Sequence, residues 1–210
     1  MFERIEKISY KHAMEFVLPK HYSGRKPNVV KAYGLFLDDV LKGVCIFGKP
    51  ASPSLCRGVM GIEYRFCVYE LNRLCIVEDV DYPLSKFVAY CLRDISDKNN
   101  WIIMAYADTA MNHIGYIYQA CNFMYTGKTK RRTDKYTEGN KHSRHYKNDE
   151  QKGLRKVRSS KHRYIYFCTT DKKVKKEWMR LLNYPILPYP KGKNKRYRLG
   201  EFLKPEIIKI

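Results

Sequence analysis

The stretch Pro83-Leu-Ser-Lys-Phe-Val-Ala-Tyr-Cys-Leu-Arg-Asp-Ile-Ser-Asp-Lys-Asn-Asn-Trp-Ile-Ile-Met-Ala-Tyr-Ala-Asp108 sets the fold of this chain. A proline suits the first helical position, where its missing N–H has no partner to lose, so Pro83 reads as a helix start. Phe87, Val88, Cys91, Leu92 and Ile95 then recur at helical spacing and share one face. Trp101 to Ala107 is an unbroken apolar run, short enough for a strand covered on both faces, and Asp108 stands at its end.

Upstream, Arg65 to Val77 is a long β-rich run containing Tyr69-Glu70-Leu71-Asn72-Arg73-Leu74-Cys75-Ile76-Val77. The Pro/Ser/Gly stretch from Gly48 to Gly61 reads as a loop. Before it, two apolar runs between Val29 and Gly48 flank a short polar turn, the pattern of a β-hairpin. Downstream, Asn112 to Asn122 reads as a short helix, Phe123 to Thr126 begins a strand, and Arg163 to Thr169 is a further strand delayed by a polar insertion. Strands followed by helices and then more strands predict an α/β layer with a mixed sheet.

Charge divides the chain differently. Residues 1–125 carry 15 Lys+Arg against 13 Asp+Glu, and residues 126–210 carry 26 against 8, so nearly all of the net +20 lies in the last two fifths. A field of that sign attracts polyanions through Coulomb attraction and counterion release. The insertion from Lys128 to His162 has almost no aliphatic residues and is expected to be disordered, or ordered only on a partner. The tail from Lys172 to Arg198 is basic but holds Trp178, Met179, Leu181, Leu182 and Tyr184, enough for one amphipathic helix before Pro185, Pro188 and Pro190 stop it. The expected division is therefore a core over 1–127, a basic flexible insertion over 128–162, and a final core strand with a basic extension over 163–210.

Seven cysteines without a C-x-x-C pair sit mostly in apolar runs, so they read as small hydrophobes in a reducing cytoplasm rather than a disulfide framework. No apolar run approaches membrane-spanning length, and no membrane role is expected.

Several segments, in order, carry a resemblance. They are His21-Tyr22, Gly34-Leu35-Phe36, Gly43-Val44 with Phe47-Gly48, Glu70-Leu71-Asn72-Arg73-Leu74, Ser85-Lys86-Phe87, Tyr106-Ala107-Asp108, Gly115 to Phe123, and Tyr125-Thr126-Gly127. Together they resemble the Mom family of phage DNA modification proteins over about residues 20 to 127. The resemblance implies a core like the GNAT acyltransferases, with a mainly antiparallel sheet flanked by helices. It also implies an activity that modifies adenine N6 in DNA, giving a carbamoylmethyl-type group that blocks restriction. One segment departs from the GNAT pattern. The acyl-CoA pyrophosphate is usually held by bare backbone N–H groups of a glycine-rich loop at a helix N-terminus. Here Val77-Glu78-Asp79-Val80-Asp81-Tyr82-Pro83 offers three carboxylates and no glycine, and is expected to repel a pyrophosphate.

Adenine N6 is a poor nucleophile, so acyl transfer to it needs proton removal, charge stabilisation and leaving-group protonation. Asp108 could orient or deprotonate N6, or simply cap the helix that follows. By resemblance Tyr118 protonates the leaving group; a packed core tyrosine is the plainer reading. The His21-Tyr22 pair offers a base, a metal ligand or a purine-stacking platform. Arg73, inside an apolar strand, requires a carboxylate such as Glu70 or Asp108, or an anionic ligand, with Asn72 and Ser85 as neighbouring substrate contacts. His142-x-x-His145 has ligand spacing but lies in the basic insertion, while His21, Asp108 and His113 would suit iron if the fold joins them.

Lys128, Lys130, Arg131, Arg132, Arg144, Arg155, Lys156, Arg158, Arg163, Arg196 and Arg198, interleaved with Tyr136, Tyr146, Tyr164, Tyr166 and Tyr197, form the expected nucleic-acid grip of phosphate contacts and aromatic stacking. The reading is thus a transferase that flips a target adenine from double-stranded DNA into the neutral half. Its donor is either a glycyl-tRNA-like aminoacyl-tRNA or an acyl-CoA. The alternatives are an acyltransferase acting on RNA or a nucleic-acid-associated protein, and a non-enzymatic nucleic-acid-binding module.

Overall fold

A computed structural model of the chain describes residues 2–137, 153–193, 198–202, 204 and 206–210. The elements run β1 (Glu3–Lys7), α1 (Tyr10–Val17), β2 (Lys31–Leu37), β3 (Val40–Gly48), α2 (Pro53–Met60), β4 (Val68–Ile76), α3 (Leu84–Ser96), β5 (Trp101–Asp108), α4 (Tyr116–Ala120), β6 (Met124–Lys128), β7 (Arg132–Lys135), β8 (Leu154–Arg158), β9 (Lys161–Cys168), α5 (Lys172–Leu181) and β10 (Ile207–Lys209). Seven strands form one sheet in the order β1-β2-β3-β4-β5-β9-β6, and three form a second in the order β10-β8-β7. Every pair is antiparallel except β4 with β5, which α3 connects as a crossover.

The large sheet is covered on both faces, as the continuous apolar run of β5 requires. Ile103, Ala105 and Ala107 meet Phe87, Val88, Cys91, Leu92 and Ile95 of α3 on one side. Ile102 and Met104 meet Cys56, Val59 and Met60 of α2 and Trp178 of α5 on the other. On that same side, Ala13, Met14, Phe16 and Val17 of α1 cover Ala32, Val44 and Ile46.

The order hairpin, strand, helix, strand agrees with the sequence, but three readings change. The segment from Gly48 to Gly61 contains α2, because Ser52 caps it by accepting from the Leu55 N–H and Pro53 occupies its first turn. Its Ser and Pro are helix-start residues as well as loop residues. The helix expected over 112–122 shortens to the five-residue α4, preceded by a 3₁₀ turn over Thr109–Met111, since Asn112 and Gly115 both adopt left-handed backbone. The insertion is not structureless at its ends: β7 and β8 pair with each other and β8 pairs with β10 of the C-terminal extension. Backbone pairing and side-chain links such as Arg131–Glu206 stabilise strands too polar to make a core of their own. Residues 138–152, with Arg144, His142, His145 and Tyr146, lie outside the described residues, as do Arg196 and Tyr197. β9 lies between β5 and β6, so the core sheet is completed by residues beyond the insertion.

Candidate active site

A cleft opens where β4 and β5 part. Their parallel pairing runs from Val68 with Ile102 to Leu71 with Ala105 and then stops, although β4 continues to Ile76 and β5 to Asp108. At the point of separation β4 bulges: Ile46 faces Arg73 and Phe47 faces Leu71, which leaves Asn72 as the extra residue. A bulge adds local twist and re-aims side chains, and here it turns Asn72 and Arg73 toward the opening. The result is a cleft of about 1450 Å³. His21, Tyr22, Asn72, Arg73, Ser85, Asp108 and Tyr118 all line it. The fold thus gathers every catalytic and substrate-binding candidate of the sequence at one place.

Asp108 is buried at the end of β5 and has several partners. Its Oδ1 accepts from the Ala110 N–H at 3.0 Å and from the Ser159 hydroxyl, and its Oδ2 lies 3.1 Å from Lys161 Nζ. Burial alone would raise its pKa, but the Lys161 charge and these hydrogen bonds outweigh burial and hold the carboxyl below its ordinary value. Asp108 therefore caps the 3₁₀ turn, as the plainer reading has it, and presents a fixed anion to the cleft. A carboxylate held so firmly ionised is suited to orienting an amine, and is a weak proton acceptor.

Glu70, read from sequence only as a partner for Arg73, has the opposite character. It lines the cleft, and its removal from water raises its pKa against the lowering effects of Lys161 and Arg73. The cleft thus holds two carboxylates shifted in opposite directions, both under the charge of Lys161. Lys161 and Ser159 also escaped the sequence reading. Both stand in a segment whose composition is that of a solvated basic loop, and only pairing of β9 with β5 sets Lys161 opposite Asp108.

His21 follows α1 and is buried, with its ring stacked on Tyr22 at 4.3 Å between centroids. Burial, with the charges of Arg73, His113 and Lys161, lowers its pKa to about 3, so the ring is neutral at physiological pH. The Ser23 N–H donates to Nδ1 at 3.2 Å, which leaves the proton on Nε2. Tyr22 meets His113 edge-on at 5.9 Å. Tyr118 is half-buried, packs against Phe123 and Tyr164, and burial raises its pKa, so it stays a neutral proton donor. It is a packed tyrosine and a cleft tyrosine at once.

Arg73 donates to the backbone carbonyls of Asn72 and Arg25, the latter at 2.9 Å, and Asn72 Nδ2 donates to the Asn28 carbonyl at 2.8 Å. These bonds tie the loop carrying His21 and Tyr22 to the bulge of β4. Beside these carbonyl contacts, the Arg73 charge acts on Glu70 and lowers its pKa against the effect of burial. Asn72 Oδ1 is buried without a hydrogen-bond partner. Ser85 stands in the first turn of α3, where its carbonyl accepts from the Cys121 thiol.

Of the basic residues, Arg131, Lys156, Arg158 and Arg198 line the cleft, joined by Arg25 and Lys161. Lys128, Lys130, Arg132 and Arg155 lie outside it, and Arg155 bonds to Thr133 of β7. Arg163 donates to the Thr126 hydroxyl and carbonyl and lies 3.4 Å from the centre of the Tyr184 ring.

The acidic segment between β4 and α3 borders the cleft through Glu78 and Asp81. Glu78 accepts from the Leu199 N–H at 2.8 Å and Asp79 pairs with Lys42 at 2.9 Å. A pyrophosphate placed there would meet carboxylates and the turn at Leu199, so this loop does not suit an acyl-CoA diphosphate. His21, Asp108 and His113 share the cleft, yet among the described residues no group of three or more His, Cys, Asp or Glu side chains is placed to hold a metal ion. Nor is any helix of the described residues long and apolar enough to cross a membrane.

Solved acetyltransferases share this architecture. A putative acetyltransferase of Salmonella typhimurium, solved with its cofactor acetyl-CoA, is 6% identical with a TM-score of 0.50, over 81% of this chain and 96% of that one. The IAA acetyltransferase of Bacillus cereus is 12% identical with a TM-score of 0.49, over 79% and 99%. An N-acetyltransferase of Staphylococcus aureus is 10% identical with a TM-score of 0.47, over 80% and 99%. At such identities the likeness concerns the fold, which is that of the GNAT acetyltransferases. No curated protein matches the chain. The sequence model of the Mom protein family matches residues 3–191, through the core and most of the basic half alike, and the chain belongs to that family.

Proposed function

We propose that this protein is a DNA-modifying transferase that places an acyl- or glycyl-type group on adenine N6. The observation that carries the reading is the cleft between β4 and β5. It joins a fixed anion, a carboxylate with a raised pKa, a neutral histidine and a protonated tyrosine, and basic residues stand on its rim. Membership in the Mom family supports DNA as the substrate, and the acetyltransferase fold supports acyl transfer.

In this reading a flipped adenine enters the cleft and stacks beside the His21–Tyr22 pair. Asp108 accepts a hydrogen bond from the N6 amine and aims its lone pair at the donor's carbonyl carbon. As the N–C bond forms, the N6 proton passes to Glu70. The bond from carbon to the leaving group breaks, and Tyr118 gives its proton to the departing atom. The proton on Glu70 then restores the Tyr118 phenol through solvent. A glycyl group on N6 has the same composition as a carbamoylmethyl group, so mass alone does not separate the two and fragmentation of the modified nucleoside distinguishes them.

Both donors remain within the proposal. Acyl-CoA is favoured by the fold and disfavoured by the Glu78–Asp81 segment, whereas an aminoacyl-tRNA needs no diphosphate loop and suits the basic half. Activity from an acyl-CoA that survives RNase treatment would exclude the tRNA.

The deciding measurement is mass spectrometry of nucleosides from DNA of cells expressing the protein. A mass-shifted deoxyadenosine is expected with wild type and absent with Asp108→Ala, while DNA binding of that variant persists. Unmodified DNA from well-expressed wild type, in a host that supports another member of the family, would overturn the proposal.

A further inference from the structure

At the rim of the cleft the loop after α1 faces β8, and cations outnumber their counter-charges. Arg25 comes from the loop, Lys156 and Arg158 from β8, and all three are half-buried cleft residues. Asp134 of β7 is the carboxylate among them, but it is divided between Arg158 at 3.6 Å and Arg132 at 3.7 Å. Among the described residues, neither the Arg25 guanidinium nor the Lys156 ammonium makes a side-chain hydrogen bond or ion pair. Burial lowers the pKa of both, and the neighbouring cations lower them further.

Half-buried cations that repel one another are costly to a fold unless an anion joins them. They are also held in place. Arg73 Nη2 donates to the Arg25 carbonyl at 2.9 Å, and the Val157 N–H donates to the Glu206 carbonyl at 2.8 Å. The site is therefore organised before any ligand arrives, and it lies along the same cleft as Asp108 and Glu70. A phosphodiester matches it: one delocalised negative charge with two free oxygens, able to take a guanidinium fork and an ammonium together.

We propose that Arg25, Lys156 and Arg158 form a phosphate site at the cleft rim, which takes a backbone phosphodiester of the DNA strand that carries the target base. The identity of the strand rests on the DNA-modifying reading, and the site itself rests on the arrangement of its cations. It fixes the strand beside the opening while the base turns inward, so it sets position without reading sequence.

The test compares wild type with the double variant Arg25→Gln/Lys156→Gln. Binding of a fluorescent DNA duplex is followed by anisotropy over a range of KCl, and coenzyme A is titrated by calorimetry. The variant is expected to melt at or above the wild-type temperature, because among the described residues neither side chain makes a hydrogen bond or ion pair, and the substitution removes their repulsion. Its affinity for DNA should fall at least tenfold. Its slope of log affinity against log salt should shrink by roughly one, since each neutralised phosphate contributes about 0.9. A duplex with a neutral methylphosphonate strand should be bound equally by both proteins.

An unchanged affinity and slope would overturn the proposal. So would coenzyme A binding that vanishes in the variant while DNA binding persists, because the site would then serve a donor diphosphate. Nucleosides from cells expressing wild type are scored separately: a missing modified adenine with the expected loss of slope strikes the transferase reading and spares the phosphate site.

Discussion

Glu70 and Asp108 are chemically the same group, and their surroundings shift them in opposite directions. Asp108 is surrounded by donors and Lys161, and Glu70 is short of water without matching compensation. A base must be deprotonated to act, so a raised Glu70 pKa predicts an acid limb in the pH–rate profile above the ordinary glutamate value of 4.5. Glu70→Gln should lower the rate by roughly a hundredfold or more, abolish that limb and leave DNA affinity intact. Single-turnover rates between pH 5 and 8 test this; an unaltered limb in the variant would exclude Glu70 as the base.

His21 makes a stability prediction of definite sign. Its folded pKa of about 3 lies below the ordinary 6.5, so the neutral ring's contribution is fully present above 6.5 and is lost as pH falls toward 3. Wild type should lose roughly 2 kcal/mol of unfolding free energy by pH 5 through this residue. His21→Asn, which retains an acceptor for the Ser23 N–H, should show a flatter dependence in urea titrations at pH 7 and pH 5. Asp108, Tyr118, His21 and Tyr22 were legible because rare polar residues sat beside apolar segments or matched a family pattern. Glu70, Lys161 and Arg25 were not, since an acid in a strand or a cation in a basic loop has no distinguishing mark until its neighbours are known.

At the scale of elements, the site depends on short breaks in regular structure. Gly115 opens α4 with φ of 85°, and a Cβ there would lie 2.4 Å from the Tyr164 ring. Tyr118 follows three residues later. Gly115→Ala should therefore cost roughly 1–3 kcal/mol through overpacking and left-handed strain. Calorimetry should show a lower Tm, and the rate should fall with Tyr118 displaced while DNA binding is kept. The long elements were readable from periodicity: α3 and β5 carry their apolar faces in the sequence itself. The bulge at Asn72 and the breaks at Asn112 and Gly115 were not, because they arise from register between strands and from close packing. Gly48 belongs with them: a Cβ at this position would fall 2.0 Å from the Asn28 carbonyl oxygen, so only glycine lets the loop reach β3.

For the whole molecule, the C-terminal segment joins the two sheets. Leu199 bonds to Glu78, Gly200 donates to the Lys20 carbonyl, Glu206 pairs with Arg131, and β10 completes the small sheet. Removing residues 198–210 should leave α3 and β5 protected in hydrogen exchange while amides of β8 exchange faster. The same truncation should weaken DNA binding, as it removes Arg198 and loosens the strand that carries Lys156 and Arg158. Unchanged exchange in β8 would show that the small sheet does not depend on β10.

The sequence by itself determined the layered α/β core and the concentration of positive charge in the last two fifths. Both are additive properties: periodic burial and summed charge need no knowledge of distant contacts. Only the tertiary structure decided where β4 and β5 separate, that β9 enters between β5 and β6, and that polar strands of the insertion and the tail pair beside the opening. Those outcomes depend on strand register and on hydrogen bonds between residues far apart in the chain. The same long-range contacts bring Asp108 to Lys161 and Arg25 to Lys156, and so turn a basic half and a neutral half into one cleft.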